Sequence, residues 1–182
     1  MDKSKDELRL QIFKARDALL PDEHQRMSKV IVERLKEEPL IAKAQVILSY
    51  QPFRSEVDIS EFNDWAFSEG KTMAYPISLP SHQILPAVSL DGPLLPQGRY
   101  GIKAPDPQRS KILSAEEVDC LLIPCVGFSL EKYRLGMGGG FYDRFLPLCE
   151  RAAKIGVAFS LQFVEEPFKD PWDTKLDRII TD

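Results

Sequence analysis

Cys120-Leu121-Leu122-Ile123-Pro124-Cys125-Val126 is an almost wholly apolar run of strand length. A strand with one wet face alternates apolar and polar residues, whereas one apolar on both faces belongs at the centre of a parallel sheet covered by helices. Working outward, a polar helix or turn precedes this run, and a glycine cluster follows it, then a helix through Phe145 and Leu148 and a strand over residues 154–159. Upstream, residues 46–50 form another short apolar run, residues 59–68 read as a helix ending before Gly70, and residues 71–75 read as a strand. That is a β-α-β unit. Near the start, Leu8, Ile12, Ala15 and Leu19 recur at helical steps and predict a helix over residues 3–19. Pro21-Asp22-Glu23 opens a second helix with Met27, Val30, Ile31 and Leu35 facing inward, stopped by Glu38-Pro39. The proline-rich middle, residues 76–107, predicts irregular loops and short strands such as residues 84–90. The expected fold is α/β: an open, mainly parallel sheet flanked by helices in a Rossmann-like three-layer arrangement, one domain over residues 1–182.

Composition excludes several functions. Lys and Arg total 24 against 28 Asp and Glu, a net charge of −4, so no excess positive field draws a polynucleotide and no nucleic-acid partner is expected. A hydrophobic share of 43% with 29% charged residues suits a folded soluble chain. The longest apolar stretch, residues 120–128, is broken by Pro124 and falls far short of the roughly 20 residues that span a bilayer, so no membrane is expected. The opening MDKSKDELRLQ puts charge where a secretory signal is apolar, and cytoplasmic residence follows as an expectation. Cys120, Cys125 and Cys149 form neither a CxxC pair nor an even framework, and are read as free, buried thiols. With only His24 and His82, a His-rich metal site is excluded, and both are read as ordinary surface or turn residues.

The chemistry concentrates in Arg134-Leu135-Gly136-Met137-Gly138-Gly139-Gly140-Phe141-Tyr142-Asp143, where four of the ten glycines fall within five residues. Glycine lets main-chain N–H groups turn toward an anion without Cβ obstruction, and a loop leading from a central strand into a helix adds the helix's positive end. Phosphate binding is the natural reading; a tight turn whose glycines only permit positive φ is the alternative. The segment is neither GxxxxGK[ST] nor GxGxxG, so any nucleotide site is of another type. On the first helix Lys5, Arg9 and Arg16 lie within about 40° of one another and border the Leu8–Ile12 stripe, where a basic row reaches a cleft beside the packed face.

Together with Lys5-x3-Arg9, Tyr50-x5-Glu56-Val57-Asp58, Gly98-x-Tyr100-Gly101-Ile102, Pro124-x2-Gly127-Phe128, Ala158-Phe159-x2-Gln162 and Trp172-Asp173-x3-Asp177, this segment resembles the 5-formyltetrahydrofolate cyclo-ligase family along nearly the whole chain. The resemblance implies Mg²⁺-dependent, ATP-driven closure of 5-formyltetrahydrofolate to 5,10-methenyltetrahydrofolate, with ADP and phosphate released; a monomer is expected. The formamide oxygen takes the γ-phosphoryl, giving an iminium phosphate that N10 attacks. The resemblance assigns catalysis to Lys5 and Arg134, and ATP binding to Lys5, Arg9, Arg134, Leu135, Gly136, Met137, Gly138, Gly139, Gly140, Phe141 and Tyr142. It assigns folate binding to Gln51 and Glu56, and Mg²⁺ to Asp143 and Asp173. Taken alone, Glu56 also reads as a surface carboxylate, Asp143 as a helix-cap partner and Asp173 as a turn residue. Relatives often carry Lys at the position of Gly139, Asp at Ser129 and Gly at Lys132, so the turn before Arg134 is expected to differ here. The alternative is a folate- or nucleotide-binding paralogue without turnover.

Overall fold

The computed structural model describes residues 4–91, 94–97, 101–165 and 168–182. Lys3, Gly98 and Tyr100, named above, lie outside them. In chain order the elements are α1 (Lys5–Asp17), α2 (Pro21–Lys36), α3 (Pro39–Lys43), β1 (Val46–Leu48), α4 (Ser60–Ser68), β2 (Thr72–Ser78), β3 (Ile84–Ser89), β4 (Leu95–Gln97), β5 (Ile102–Ala104), β6 (Ser110–Ile112), β7 (Cys120–Pro124), β8 (Gly127–Phe128), β9 (Arg134–Leu135), α5 (Phe141–Phe145), β10 (Ala153–Val157) and β11 (Arg178–Ile180). Seven strands form one sheet in the order β11-β10-β7-β1-β2-β3-β6. The pairs from β11 through β2 are parallel, and β3 and β6 add an antiparallel edge. The mainly parallel sheet flanked by helices is therefore present.

Strand alternation builds its layers. Ile47, Met73, Cys120 and Leu122 face one side, where they pack with Ile31 and Leu35 of α2, Ile41 of α3 and Phe62 of α4. Their neighbours Leu48, Ala74, Leu121 and Ile123 face the other, where Phe145, Leu146, Cys149 and Ala152 cover them. Side chains on both faces are lost from water, so each of these strand residues must be apolar. Gly156 sits where β10 passes closest to its cover: a methyl there would meet Ile179, Leu176 and Cys125 Sγ at 2.7, 2.8 and 3.0 Å.

α1 does not lie on the sheet. Leu8 and Ile12 pack with Val126, Leu135, Val164 and Phe168, which docks the helix on the β8–β9 hairpin. Ser4 caps it, accepting from Glu7 N at 3.3 Å while the Glu7 carboxylate accepts from Ser4 N at 2.8 Å.

Several segments differ from the sequence reading for local reasons. β2 runs on to Ser78 because its pairing with β1 ends at Ala74 and β3 alone carries it further; there Pro76, which has no N–H to donate, sits opposite Pro86 and faces no ladder partner on its other side. The helix expected through Leu148 is a five-residue α5 followed by a 3-10 turn containing Pro147, which cannot continue an α-helical ladder. So short a helix has little dipole, and the positive helix end invoked for the glycine loop gives way to side-chain cations.

The turn between β8 and β9 places Lys132 at φ +68°, in the left-handed region. Its N–H donates to Ser129 O at 3.0 Å and its ammonium reaches Asp177 O at 3.1 Å. The residue read above as marking a different turn thus occupies a backbone position that suits glycine. A left-handed non-glycine residue costs about 1–2 kcal/mol, and glycine's extra unfolded-state entropy returns part of that. Lys132→Gly is expected to stabilise the fold by about 0.5–1 kcal/mol, read as a shift in urea midpoint without a change in slope.

Candidate functional site

The chain leaves β1 toward β2 on one side, while β7 enters on the other. In parallel sheets such a reversal opens a crevice at the carboxyl ends of the two strands, because their following loops turn to opposite faces. Here one loop runs from Ser49 to Asp58 and carries Gln51 and Glu56; the other runs from Cys125 through the hairpin into the glycine segment. α1 lies along that hairpin and brings its basic row to the crevice.

On the glycine side, three guanidinium groups crowd the loop. Arg9 Nε donates to Gly136 O at 2.8 Å and its Nη1 pairs with Asp6 at 2.6 Å. Arg134 is 8% exposed; its Nη2 pairs with Asp143, its plane lies 5.3 Å from the Tyr142 ring centroid, and its Nε is buried without a hydrogen-bond acceptor. Arg144 Nη1 donates to Gly140 O at 2.8 Å. The missing side chain at Gly136 leaves room for the Arg134 guanidinium, and Gly138 and Gly140 stand at φ +89° and +68°. Among the described residues, none of the main-chain N–H groups of Gly136, Met137, Gly138, Gly139 and Gly140 donates a hydrogen bond. A run of undonated N–H groups beside cations, with a buried guanidinium nitrogen also unmet, is a ready-made anion site.

Lys5 is held by Asp170 at 2.6 Å and Asp173 at 3.2 Å, and Asp173 Oδ2 also accepts from Asp170 N at 2.8 Å. Lys5, Arg9 and Arg134 are therefore all engaged with this end of the molecule: Arg9 and Arg134 on the loop, Lys5 on the acidic turn after Phe168. Asp143 and Asp173 do not form a metal cage, and no cluster of three or more His, Cys, Asp or Glu occurs among the described residues. Each keeps one carboxylate oxygen that accepts no bond from a described residue. Mg²⁺ uses one or two carboxylates and takes its other ligands from phosphates and water, so the donors present fit that ion in the company of a polyphosphate.

The other half of the crevice is a cleft of about 410 Å³ lined by His24, Gln51, Phe53, Arg54, Glu56 and Lys103, among others. It holds both residues assigned to folate. Glu56 is 9% exposed and accepts from Phe53 N at 3.0 Å. Burial pushes its carboxyl up to about 7, against the opposing pull of that hydrogen bond and of Arg16. Arg16, at the far end of the basic row, is buried; desolvation lowers its pKa while Glu56 opposes the shift, and its Nε donates to Ser55 Oγ at 3.0 Å. Burial likewise drives the Tyr142 hydroxyl upward, countered by Arg134 and reinforced by Glu56. The Glu56 and Arg134 charges thus pull the Tyr142 hydroxyl in opposite directions.

Both histidines touch this site, beyond the role read from sequence. His24 Nε2 donates to Glu56 O at 2.9 Å and packs edge-on against Phe159 at 5.0 Å. His82 Nδ1 donates to Gly139 O at 2.9 Å. Arg144 follows Asp143 directly and lies one helical turn beyond Gly140, a spacing that offered a clue. His82 offered none, since it arrives from the β2–β3 turn. No helix among the described residues is long and apolar enough to cross a membrane.

The model of the 5-formyltetrahydrofolate cyclo-ligase family matches residues 1–182. The chain is 33% identical over 184 residues to the 5-formyltetrahydrofolate cyclo-ligase of Mycoplasma pneumoniae, with 98% of each chain covered. Its fold is similar to the 5,10-methenyltetrahydrofolate synthetase structure from that organism, with TM-score 0.80, 30% identity and 98% of each chain covered. It is also similar to the Aquifex aeolicus 5,10-methenyltetrahydrofolate synthetase structure, with TM-score 0.84 and 32% identity over 97% of this chain and 89% of that one.

Proposed function

The chain belongs to the 5-formyltetrahydrofolate cyclo-ligase family, and from that premise we propose that the glycine loop with Lys5, Arg9 and Arg134 holds the phosphates of ATP while the Glu56 cleft holds the folate. The activity is the family's ATP-dependent closure of 5-formyltetrahydrofolate to 5,10-methenyltetrahydrofolate. The observation that carries the site assignment is the run of undonated N–H groups at residues 136–140 beside the unmet Arg134 Nε.

The chemistry demands such a site. A formamide carbon is a poor electrophile, and its oxygen leaves badly. In our reading the formyl oxygen attacks the γ-phosphorus, the bond to the β–γ bridging oxygen breaks, and ADP departs. N10 then attacks the activated formyl carbon, the C–O bond breaks, and phosphate leaves with the formyl oxygen and the proton that N10 gives up. Charge moves onto phosphate oxygens in the first step, and fixed N–H donors and guanidinium groups stabilise it without reorganising. Arg134 reaches this charge directly, while its ion pair with Asp143 and its cation–π contact with the Tyr142 ring fix its plane. Asp143 and Asp173 would hold Mg²⁺, which would supply positive charge to the phosphate oxygens. Glu56, itself buried at the wall of the cleft, accepts hydrogen bonds from ring N–H groups of the pterin. The three free, buried cysteines support cytoplasmic residence, where thiols stay reduced.

Oxygen labelling tests the sequence of bonds. With ¹⁸O in the formyl group, turnover monitored by methenyltetrahydrofolate absorbance is expected to place the label in released phosphate. Label in water alone, with unlabelled phosphate, would rule out phosphoryl transfer to the formyl oxygen.

A further inference from the structure

We infer that His82 is a positioning residue of the nucleotide loop: from a separate hairpin it holds the Gly139 carbonyl outward and thereby aims the Gly140 N–H at the bound phosphate. This deepens the nucleotide-loop reading and rests on it. A carbonyl oxygen only accepts, so the 2.9 Å contact fixes the proton on His82 Nδ1. The peptide is trans, as all are among the described residues, so the Gly140 N–H points opposite to the Gly139 C=O that His82 grips. The His82 ring also lies 5.1 Å from the Phe141 ring, which flanks Gly139. The contact is therefore a clamp on two successive parts of the loop.

The rest of the loop follows the same logic. Arg9 takes the Gly136 carbonyl and so turns the Met137 N–H away from α1; Arg144 takes the Gly140 carbonyl at 2.8 Å, which turns the Phe141 N–H, and reaches the Gly139 carbonyl only at 3.4 Å, against 2.9 Å for His82. Arg144 lies within the loop's own helix and Arg9 on the helix already assigned to phosphate. His82 alone of the three comes from the sheet, at the turn between β2 and β3, and its own backbone stands at φ +58°. Left-handed non-glycine backbone is more costly than glycine would be at that turn. Glycine would relieve the turn but would lose the imidazole that reaches the loop.

Steady-state kinetics with His82→Ala, His82→Gly and His82→Asn test this. Asn tolerates the left-handed backbone and carries an amide donor near the position of Nδ1. His82→Ala and His82→Gly are both expected to raise KM for MgATP about tenfold, the worth of one directed hydrogen bond, with KM for 5-formyltetrahydrofolate unchanged. His82→Asn should restore most of the MgATP affinity. Arg134→Lys serves as the control for the loop itself. If Arg134→Lys raises KM for MgATP and the His82 variants do not, the clamp is refuted and the nucleotide loop stands. If none of them moves it, both fail. An equal loss for both substrates, or a loss that Asn does not relieve, makes His82 a structural residue and overturns the inference.

Discussion

Arg134→Ala is expected to lower kcat/KM for MgATP about a thousandfold, the scale of removing a preorganised charge-stabilising donor from a dry site. The side chain is 5% exposed, its Nε meets no acceptor among the described residues, and its Cζ lies over the Tyr142 ring. Such a group keeps its orientation before the phosphate arrives, so little reorganisation is left for the transition state. The partner it abandons, Asp143, has a side chain 38% exposed and stays solvated, so the fold is expected to survive. Arg134→Lys keeps the charge and loses the fork, and should fall between alanine and the parent. Steady-state rates with varied MgATP, together with a thermal melt, decide the matter. A melt unchanged and rates unchanged would remove Arg134 from the site.

Glu56→Gln is expected to separate function from stability. The carboxyl is raised to about 7 mainly by burial, so the folded chain holds a proton there more tightly than the unfolded chain, whose group titrates near 4.5. Between those values the folded state binds the extra proton, and stability contributed by this residue falls as pH rises; above about 7 the loss is complete. Glutamine keeps the acceptor for Phe53 N without the charge. The variant should therefore unfold at higher denaturant than the parent at pH 8, by about 2–3 kcal/mol, with the difference shrinking as pH falls toward 4.5. Activity should move the other way. Loss of a charged acceptor for ring N–H groups is expected to raise KM for 5-formyltetrahydrofolate about a hundredfold at pH 8. In the parent, the same KM should rise as pH drops through about 7, because the carboxylate becomes protonated. Parallel stability at pH 8 would show that Glu56 is not paying a desolvation cost.

The central layers were legible because the relevant residues are apolar on both faces: Leu121 and Leu122 point to opposite clusters, and so do Ile47 and Leu48. The basic row of α1 was legible from helical spacing, and the structure turns it to the crevice, with Arg9 on Gly136 and Arg16 beside the Glu56 loop. β8, β9 and β11 were not seen. Each has only two or three residues and pairs with a strand remote in sequence or across a turn whose left-handed residue is lysine rather than glycine. Nothing local marks such strands. The helix after the glycine loop was overread because apolar spacing through Phe145 and Leu148 outweighed the single Pro147. His24 and His82 were passed over because a lone histidine carries no periodicity, and only the topology brings each to a carbonyl of the site.

The central assignment is that the main-chain N–H groups of residues 136–140 receive the nucleotide phosphates. Amide proton–nitrogen spectra of the uniformly ¹⁵N-labelled chain, titrated with MgATP and separately with Mg²⁺ alone, read those groups individually. We predict large MgATP-specific downfield shifts at Gly136, Met137, Gly138, Gly139 and Gly140, with smaller changes along α1. Saturable MgATP binding that leaves all five amides where they were would contradict the account.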